Sequence, residues 1–295
     1  AYSLFNTNGD VNQLVIDGAN DSNVTGSFTS KEISDGTLLA FAGGGDIRVS
    51  KIHDQFGSKD ATQDITGIQG KIITGGSMVI LDGSPALDFV RTASGPDNAV
   101  YYTIDNGARI TGVDGVEIFA TVSFDTVNRD LTPTVSWSGD YIVSENLLDL
   151  ASGVSFGAGK IAGQPYQYLF AESGISNGFG GFDFPGDISK DGWGVTGAEI
   201  AYDTKYVVNG FIGFDDSITS GFRGMTFDGS YISGYTVTGQ KNNTIGTIGS
   251  EQISANSFDG KFQEVLIYKN VQPNLRERIR ACLLYTSPSP RDLST

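Results

Sequence analysis

The chain has 295 residues, of which 40 are Gly, 18 Phe and 12 Tyr, and only 18% are charged, a mixture that frequent turns between short aromatic-rich strands would produce. Its 34 acidic against 19 basic residues leave a formal charge of -15, which argues against a basic nucleic-acid-binding face. No stretch reaches the roughly 18 continuous apolar residues of a membrane span, and the single cysteine, Cys282, excludes an intrachain disulfide or a Cys-based zinc site.

In chain order, the first 56 residues hold a short helix and a strand. Ser34 or Asp35 can cap a helix through Leu38, Leu39 and Phe41, which Gly43-Gly44-Gly45 stops. Ile47, Val49 and Lys51 then alternate with Arg48, Ser50 and Ile52 as a strand entering the turn Asp54-Gln55-Phe56-Gly57. Asp54 and Gln55 suit a loop tied together by side-chain to backbone hydrogen bonds, with ligand contact as the alternative. No basic segment precedes an apolar core at the N-terminus, so no signal peptide is visible. The chain begins with Ala1 rather than Met, which leaves a removed leader open.

The opening carries a resemblance. "AYSLFNTNGD" and "SDGTLLAFAGGGDIRVSKIHDQFGSKDATQ" are similar to a family opening that reads roughly A-Y-S-L-R, L-L-A-F-x-G and W-Y-D-Q-S-G-N-G-x-D-A-T-Q. It occurs in phage tail and virion proteins, in bacterial surface proteins and in the catalytic domain of fungal-type α-L-arabinofuranosidases. Tyr2, Ser3, Leu4, Leu38, Leu39, Phe41, Gly43, Asp54, Gln55, Gly57, Asp60, Ala61, Thr62 and Gln63 match, while Phe5 and His53 depart from it. His53, at the usual aromatic position, reads as a substitute for a packed ring.

Two short strands are expected over 71–91, broken at Gly75-Gly76 and turned at Asp82-Gly83. Ala99 to Ile104 and Val116 to Phe124 are further strands. In the second, Val116, Ile118, Ala120 and Val122 alternate with Glu117, Phe119, Thr121 and Ser123, predicting one buried face and one mixed face. From Asp125 to Gly197 a strand at Tyr141 to Val143 and a helical turn at Asn146 to Leu150 precede a stretch of aromatics among glycines. In a jelly roll such insertions gather over the concave face and the sheet edges. Tyr166, Tyr168, Phe179, Phe182, Phe184 and Trp193 are therefore the candidate ligand-stacking residues, with packing on the domain's own surface as the alternative.

The last third alternates strands with Gly, Asp and Asn turns, including a hairpin at Asp228-Gly229. Val265, Leu266, Ile267 and Tyr268 form an unbroken apolar run, as expected of a central strand covered on both sides. Pro273 opens a helix in which Leu275, Ile279, Cys282 and Leu283 make one apolar stripe. "FDGKFQEVLIYKNVQPNLRERIRACL" resembles the closing strand and helix of concanavalin A-like lectin/glucanase domains of the laminin-G-like kind. That resemblance implies an all-β jelly-roll sandwich of two antiparallel sheets with one or two short helices, spanning residues 1–283. "CLLYTSPSPRDLST" resembles translated sequencing-adapter sequence, so residues 284–295 are read as a non-native or disordered tail.

Chemistry is sparsely marked. A glycosidase needs two carboxyls facing one another across a sugar, and Glu117, Glu199 and Glu264, within strand patterns, are the best single candidates. No compact E-x-D-x-x-E signature is present, and His53 lacks the G-x-S-x-G elbow of a Ser-His-Asp hydrolase. No cofactor is expected. A structural calcium would sit at Asp17, Asn20 and Asp21 or at Asp215 and Asp216, although these lack EF-hand spacing and suit surface turns better.

The expectation is thus a non-enzymatic virion protein, a tail or head fibre component located on the virion or outside the cell. Its expected partners are a host cell-surface carbohydrate and other virion proteins, with no nucleic acid and no membrane insertion. A homo-oligomer is compatible, though no coiled-coil heptad is present. An arabinofuranosidase-like glycoside hydrolase and a bacterial secreted adhesin are the alternatives.

Overall fold

The computed structural model describes residues 14–54, 59–90, 100–104, 110–112, 115–125, 138–144, 154–160, 167–173, 203–214, 221–227, 230–237, 243–249, 258–270 and 272–285. In chain order the strands are β1 (Leu14–Asn20), β2 (Thr25–Thr29), β3 (Ile47–Ile52), β4 (Ala61–Thr62), β5 (Lys71–Thr74), β6 (Ser77–Met78), β7 (Ile80–Leu81), β8 (Ser84–Pro85), β9 (Leu87–Phe89), β10 (Tyr102–Ile104) and β11 (Ile110–Gly112). They continue with β12 (Gly115–Phe124), β13 (Ser138–Ser144), β14 (Val154–Lys160), β15 (Gln167–Ser173), β16 (Tyr206–Phe214), β17 (Gly221–Phe227), β18 (Ser230–Val237), β19 (Asn243–Ile245), β20 (Thr247–Ile248) and β21 (Gly260–Tyr268). Among the described residues three short α-helices accompany them: α1 (Ser30–Ser34), α2 (Thr37–Ala42) and α3 (Arg276–Tyr285).

Pairing is antiparallel throughout, and the expected all-β sandwich is what forms. Strand β3 is where the two arms of the sheet part. Its first residues pair with β5 through Ile47 and Ile73, while its last pair with β4 through Ile52 and Ala61. From β5 one arm runs through β9, β21, β12, β16 and β17 to β18. The other runs from β4 through β10, β20, β13 and β14 to β15.

Local sequence accounts for the turns. The β5–β6 hairpin turns on Gly75 (φ 55°) and Gly76 (φ 73°), and β7–β8 on Asp82 (φ 49°) and Gly83 (φ 79°). Two consecutive positive φ values define the tight hairpin turn that Gly and Asp tolerate best. Helix α1 was not anticipated, although its signal is in the sequence. Thr29 and Glu32 form a capping box, each side chain bonding the other's backbone N–H. The expected helix at Leu38 is α2, with Asp35 Oδ1 accepting from Thr37 N at 3.0 Å and Gly43 closing it at φ 60°.

Between the arms lies a core centred on aromatic rings. Phe258 and Phe262 have centroids 4.4 Å apart, Phe89 sits 4.6 Å from Phe262, and Tyr102 5.7 Å from Phe89. The Tyr102 hydroxyl is wholly buried, donates to Val49 O at 2.8 Å and accepts from Gly70 N at 3.0 Å. It satisfies two backbone groups at the place where β3 loses regular pairing.

Strand β21 is central, as its apolar run predicts, with β12 on one side and β9 on the other. Val265 and Ile267 face the main core, while Leu266 belongs to a second cluster with Phe119, Val207 and Leu283. That second cluster corrects two expectations. The second face of β12 is not mixed in exposure, because Glu117, Phe119, Thr121 and Ser123 are all buried, Glu117 and Phe119 on the side that α3 packs against. The helix stripe is also shorter than expected: Leu283 is buried and Ile279 packs beside it, but Leu275 and Cys282 are exposed and Arg280 is buried in their place. Helix α3 runs to Tyr285, and residues 286–295 lie outside the described residues.

Candidate functional site

Glu117 was the first catalytic candidate, and its surroundings assign it another role. Alternation along β12 turns Ile118, Ala120, Val122 and Phe124 into the main core and Glu117 toward α3. There its Oε1 accepts from Asn209 Nδ2 at 2.9 Å and Arg276 Nε at 2.6 Å, and its Oε2 from Gln272 N at 2.5 Å and Arg276 NH2 at 3.3 Å. Four donors fill this wholly buried carboxylate. No lone pair is left for a sugar, so Glu117 holds the C-terminal helix to the sheet. Arg276 and Asn209 escaped sequence reading because their partner is 159 and 92 residues away.

Glu264, part-exposed on β21, lies within electrostatic reach of Lys205 and Tyr268. Glu199 lies outside the described residues.

The same side of the sheet holds a row of charges that the sequence did not suggest. Asp88 on β9 is in register with Lys261 of β21 and with Lys71 of β5. Lys261 Nζ is 3.0 Å from Asp125 and 3.4 Å from Asp203. Burial, and then the Asp125 and Asp259 charges, push the Asp88 carboxyl up to about 6 despite Lys261 and Lys71. Burial also raises Asp125, against the hydrogen bond from Lys261. Burial alone would lower Lys261, but its contacts with Asp125 and Asp203 outweigh that and raise it. A carboxyl poised near neutrality is a familiar acid–base feature, yet here the neighbouring Asp125 is paired with Lys261.

At the end of β3, Asp54 ties its loop as expected: its N–H donates to Asp60 Oδ1 at 3.0 Å and its Oδ2 accepts from Lys59 N at 3.2 Å. Gln55 lies outside the described residues. His53 is not a packed ring. Its Nε2 is 3.2 Å from Asp17 Oδ2 and its Nδ1 3.7 Å from Asp60 Oδ2.

The first expected calcium position is engaged otherwise. Asp17 accepts from Ser27 Oγ at 2.5 Å, Asn20 Oδ1 accepts from Ser22 N and Val24 N, and Asp21 takes Asp46 N and Arg48. Asp215 and Asp216 lie outside the described residues. Among the described residues no three His, Cys, Asp or Glu side chains gather as metal ligands.

Of the candidate stacking aromatics, Tyr168 is placed on β15, in register with Gly159 of β14. Tyr166, Phe179, Phe182, Phe184 and Trp193 lie outside the described residues.

No family profile and no curated protein matches the chain. Solved structures do. An arabinofuranosidase complexed with arabinofuranosyl-α-1,2-xylobiose superposes with a TM-score of 0.54 and 11% identity, over 94% of this chain and 59% of that one. A GH54 α-L-arabinofuranosidase mutant soaked with 4-nitrophenyl α-L-arabinofuranoside gives 0.57 and 12%, over 98% and 62%. A GH54 enzyme soaked with a cyclic sulfate inhibitor gives 0.55 and 10%, over 95% and 60%. At such identities the fold is what is shared, and the chain spans about three-fifths of the length of these enzymes. The protein shares the β-sandwich fold of these structures. The expectation that it is not an enzyme is corrected by this comparison, because the structures it follows over nearly its whole length are glycoside hydrolases.

Proposed function

We propose that the chain is a carbohydrate-directed domain that hydrolyses α-L-arabinofuranosides. The observation that supports this reading most is its extent: 94–98% of the chain follows the arabinofuranosidase sandwich. On the arm holding β21 and β12, Glu117 is consumed by its clamp and Asp125 by its ion pair with Lys261. Glu264, part-exposed on β21, stays a candidate on that arm, and a reacting acid is also sought on the other. Among that arm's described strand residues, the acids are Asp140 on β13 and Glu172 on β15.

Asp140 is in register with Ala158 of β14, and Ala158 with Leu169 of β15. Leu169 is three positions from Glu172, and strand geometry puts the two backbone positions roughly 14 Å apart. A retaining pair needs about 5 Å and an inverting pair up to about 9.5 Å. Glu172 is our choice for one reacting carboxylate, with its partner to come from outside the described residues, where Glu199 remains a candidate.

Tyr166, Tyr168, Phe179, Phe182, Phe184 and Trp193 are proposed to stack on the sugar. Replacing Tyr168 or Trp193 by Ala should raise KM for an oligosaccharide more than for 4-nitrophenyl α-L-arabinofuranoside. The placement on a virion or outside the cell, proposed from the sequence resemblance, suits a domain acting on surface or wall glycans. Peptide mass spectrometry of purified virions would test it, and absence of the chain from every virion preparation of its host would count against it. Incubating the purified chain with arabinan and with arabinose-free xylan tests the function. Arabinose released from the first alone is expected, and neither release from nor binding to any arabinose-bearing glycan would overturn the reading.

A further inference from the structure

We propose that Asn23, at the tip of the β1–β2 hairpin, is an acceptor site for an N-linked glycan, and that Asn20, in the adjoining triplet, is not. The stretch Asn20-Asp21-Ser22-Asn23-Val24-Thr25 holds two Asn-x-Ser/Thr triplets in direct succession. Both satisfy the acceptor pattern. The fold separates them.

Asn20 is spent on the turn. Its Oδ1 accepts from Ser22 N at 3.0 Å and from Val24 N at 3.1 Å, and its Nδ2 donates to Phe41 O of α2 at 3.4 Å. A sugar on that nitrogen would have to be housed against α2. Turning the carboxamide away instead would strip both turn N–H groups of their acceptor.

Asn23 has the opposite setting. Its backbone N–H donates to Asn20 O at 2.8 Å, and its φ of 58° is a left-handed value that Asn tolerates. The side chain is exposed, and among the described residues its carboxamide makes no hydrogen bond. Val24 beside it is 52% exposed, and Thr25 opens β2 on the surface, in register with Ala19. A sugar on Asn23 leaves every hydrogen bond of the hairpin in place and gives Val24 a polar cover.

The donor is an oligosaccharide carried on a lipid diphosphate, the form used along a eukaryotic secretory route. Asn23 Nδ2 bonds to C1 of the first sugar as the C1–oxygen bond breaks. The lipid diphosphate leaves with that electron pair, and a base on the transferase takes the Nδ2 proton. This inference is independent of the proposed sugar-cleaving activity.

The test secretes the full chain from yeast behind a cleavable leader, treats it with peptide N-glycanase and sequences its peptides by mass spectrometry. That enzyme leaves Asp where a glycosylated Asn stood. Asp is expected at position 23, and Asn at position 20, in the wild type and in Ser22→Ala, which removes the first triplet. Thr25→Ala keeps the left-handed Asn23 but should lose the modification. Asn retained at position 23 in the wild type, Asp at position 20, or modification surviving in Thr25→Ala overturns the proposal. A third triplet, Asn242-Asn243-Thr244, lies far along the chain and is read on its own peptide.

Discussion

Arg276 donates through Nε to Glu117 Oε1 at 2.6 Å, joining the first turn of the last helix to a strand 159 residues earlier. Glu117 is wholly buried and Arg276 largely so, and Asn209 and Gln272 complete the carboxylate's bonds. Breaking a buried pair by removing one partner leaves an uncompensated charge and costs about 3–5 kcal/mol. Glu117→Ala and Arg276→Ala should each lose that much in urea unfolding. Glu117→Gln should keep its turnover per folded molecule. A variant that loses activity while keeping wild-type stability would return Glu117 to the candidate catalytic acids.

Asp88 makes stability depend on pH in the opposite sense to the usual carboxylate. The folded protein holds it at about 6 rather than 3.8, first through burial and then through Asp125, so the native state binds its proton more tightly than the unfolded chain does. Stability should fall as the pH rises from about 4 to 6 and stay reduced above that. Asp88→Asn should therefore unfold later than wild type at pH 7, by about 1 kcal/mol once solvent screening is allowed for. At pH 4 the two should coincide. A variant less stable than wild type at pH 7 would show that the ionised carboxylate is held by Lys261 and Lys71 more strongly than burial opposes it.

Gly249, just after β20, has φ 91° and Phe89 against its backbone: an added Cβ would lie 2.3 Å from the Phe89 ring. Phe89 is wholly buried and touches Tyr102, Phe258 and Phe262, so it has little room to withdraw. Gly249→Ala should cost about 2–4 kcal/mol from left-handed strain and overpacking together. Chemical denaturation measures it, and a loss under about 1 kcal/mol would mean the ring repacks freely.

Tyr102 offers a milder probe of the same core. Its hydroxyl serves Val49 O and Gly70 N, both buried. Tyr102→Phe keeps the ring but leaves both groups unpaired, at about 1–3 kcal/mol. A neutral substitution would mean that another group takes their place.

Much of the architecture was legible because it is local. The apolar run at Val265 to Tyr268 identified a strand covered on both faces, and Gly75-Gly76 and Asp82-Gly83 marked hairpins by the φ values those residues tolerate. The Thr29–Glu32 capping box was equally local and went unread. What escaped was long-range. Nothing near Glu117 shows that α3 will cover it, and nothing near Asp88 shows two lysines in register with it. His53 read as a replaced aromatic because Asp17, 36 positions earlier, becomes its neighbour only when β1 pairs with β3. Glu172 drew no notice for a related reason. A lone acid in Gln167–Ser173 looks like any other strand residue.

The most direct measurement is arabinose release from 4-nitrophenyl α-L-arabinofuranoside by wild type and by Glu172→Gln, with folding of the variant verified by its melting curve. The account predicts measurable release by the wild type and a loss of at least about 100-fold in kcat for a folded variant. Release undiminished by the substitution would contradict the assignment of Glu172, and no release by a folded wild type would contradict the proposed activity itself.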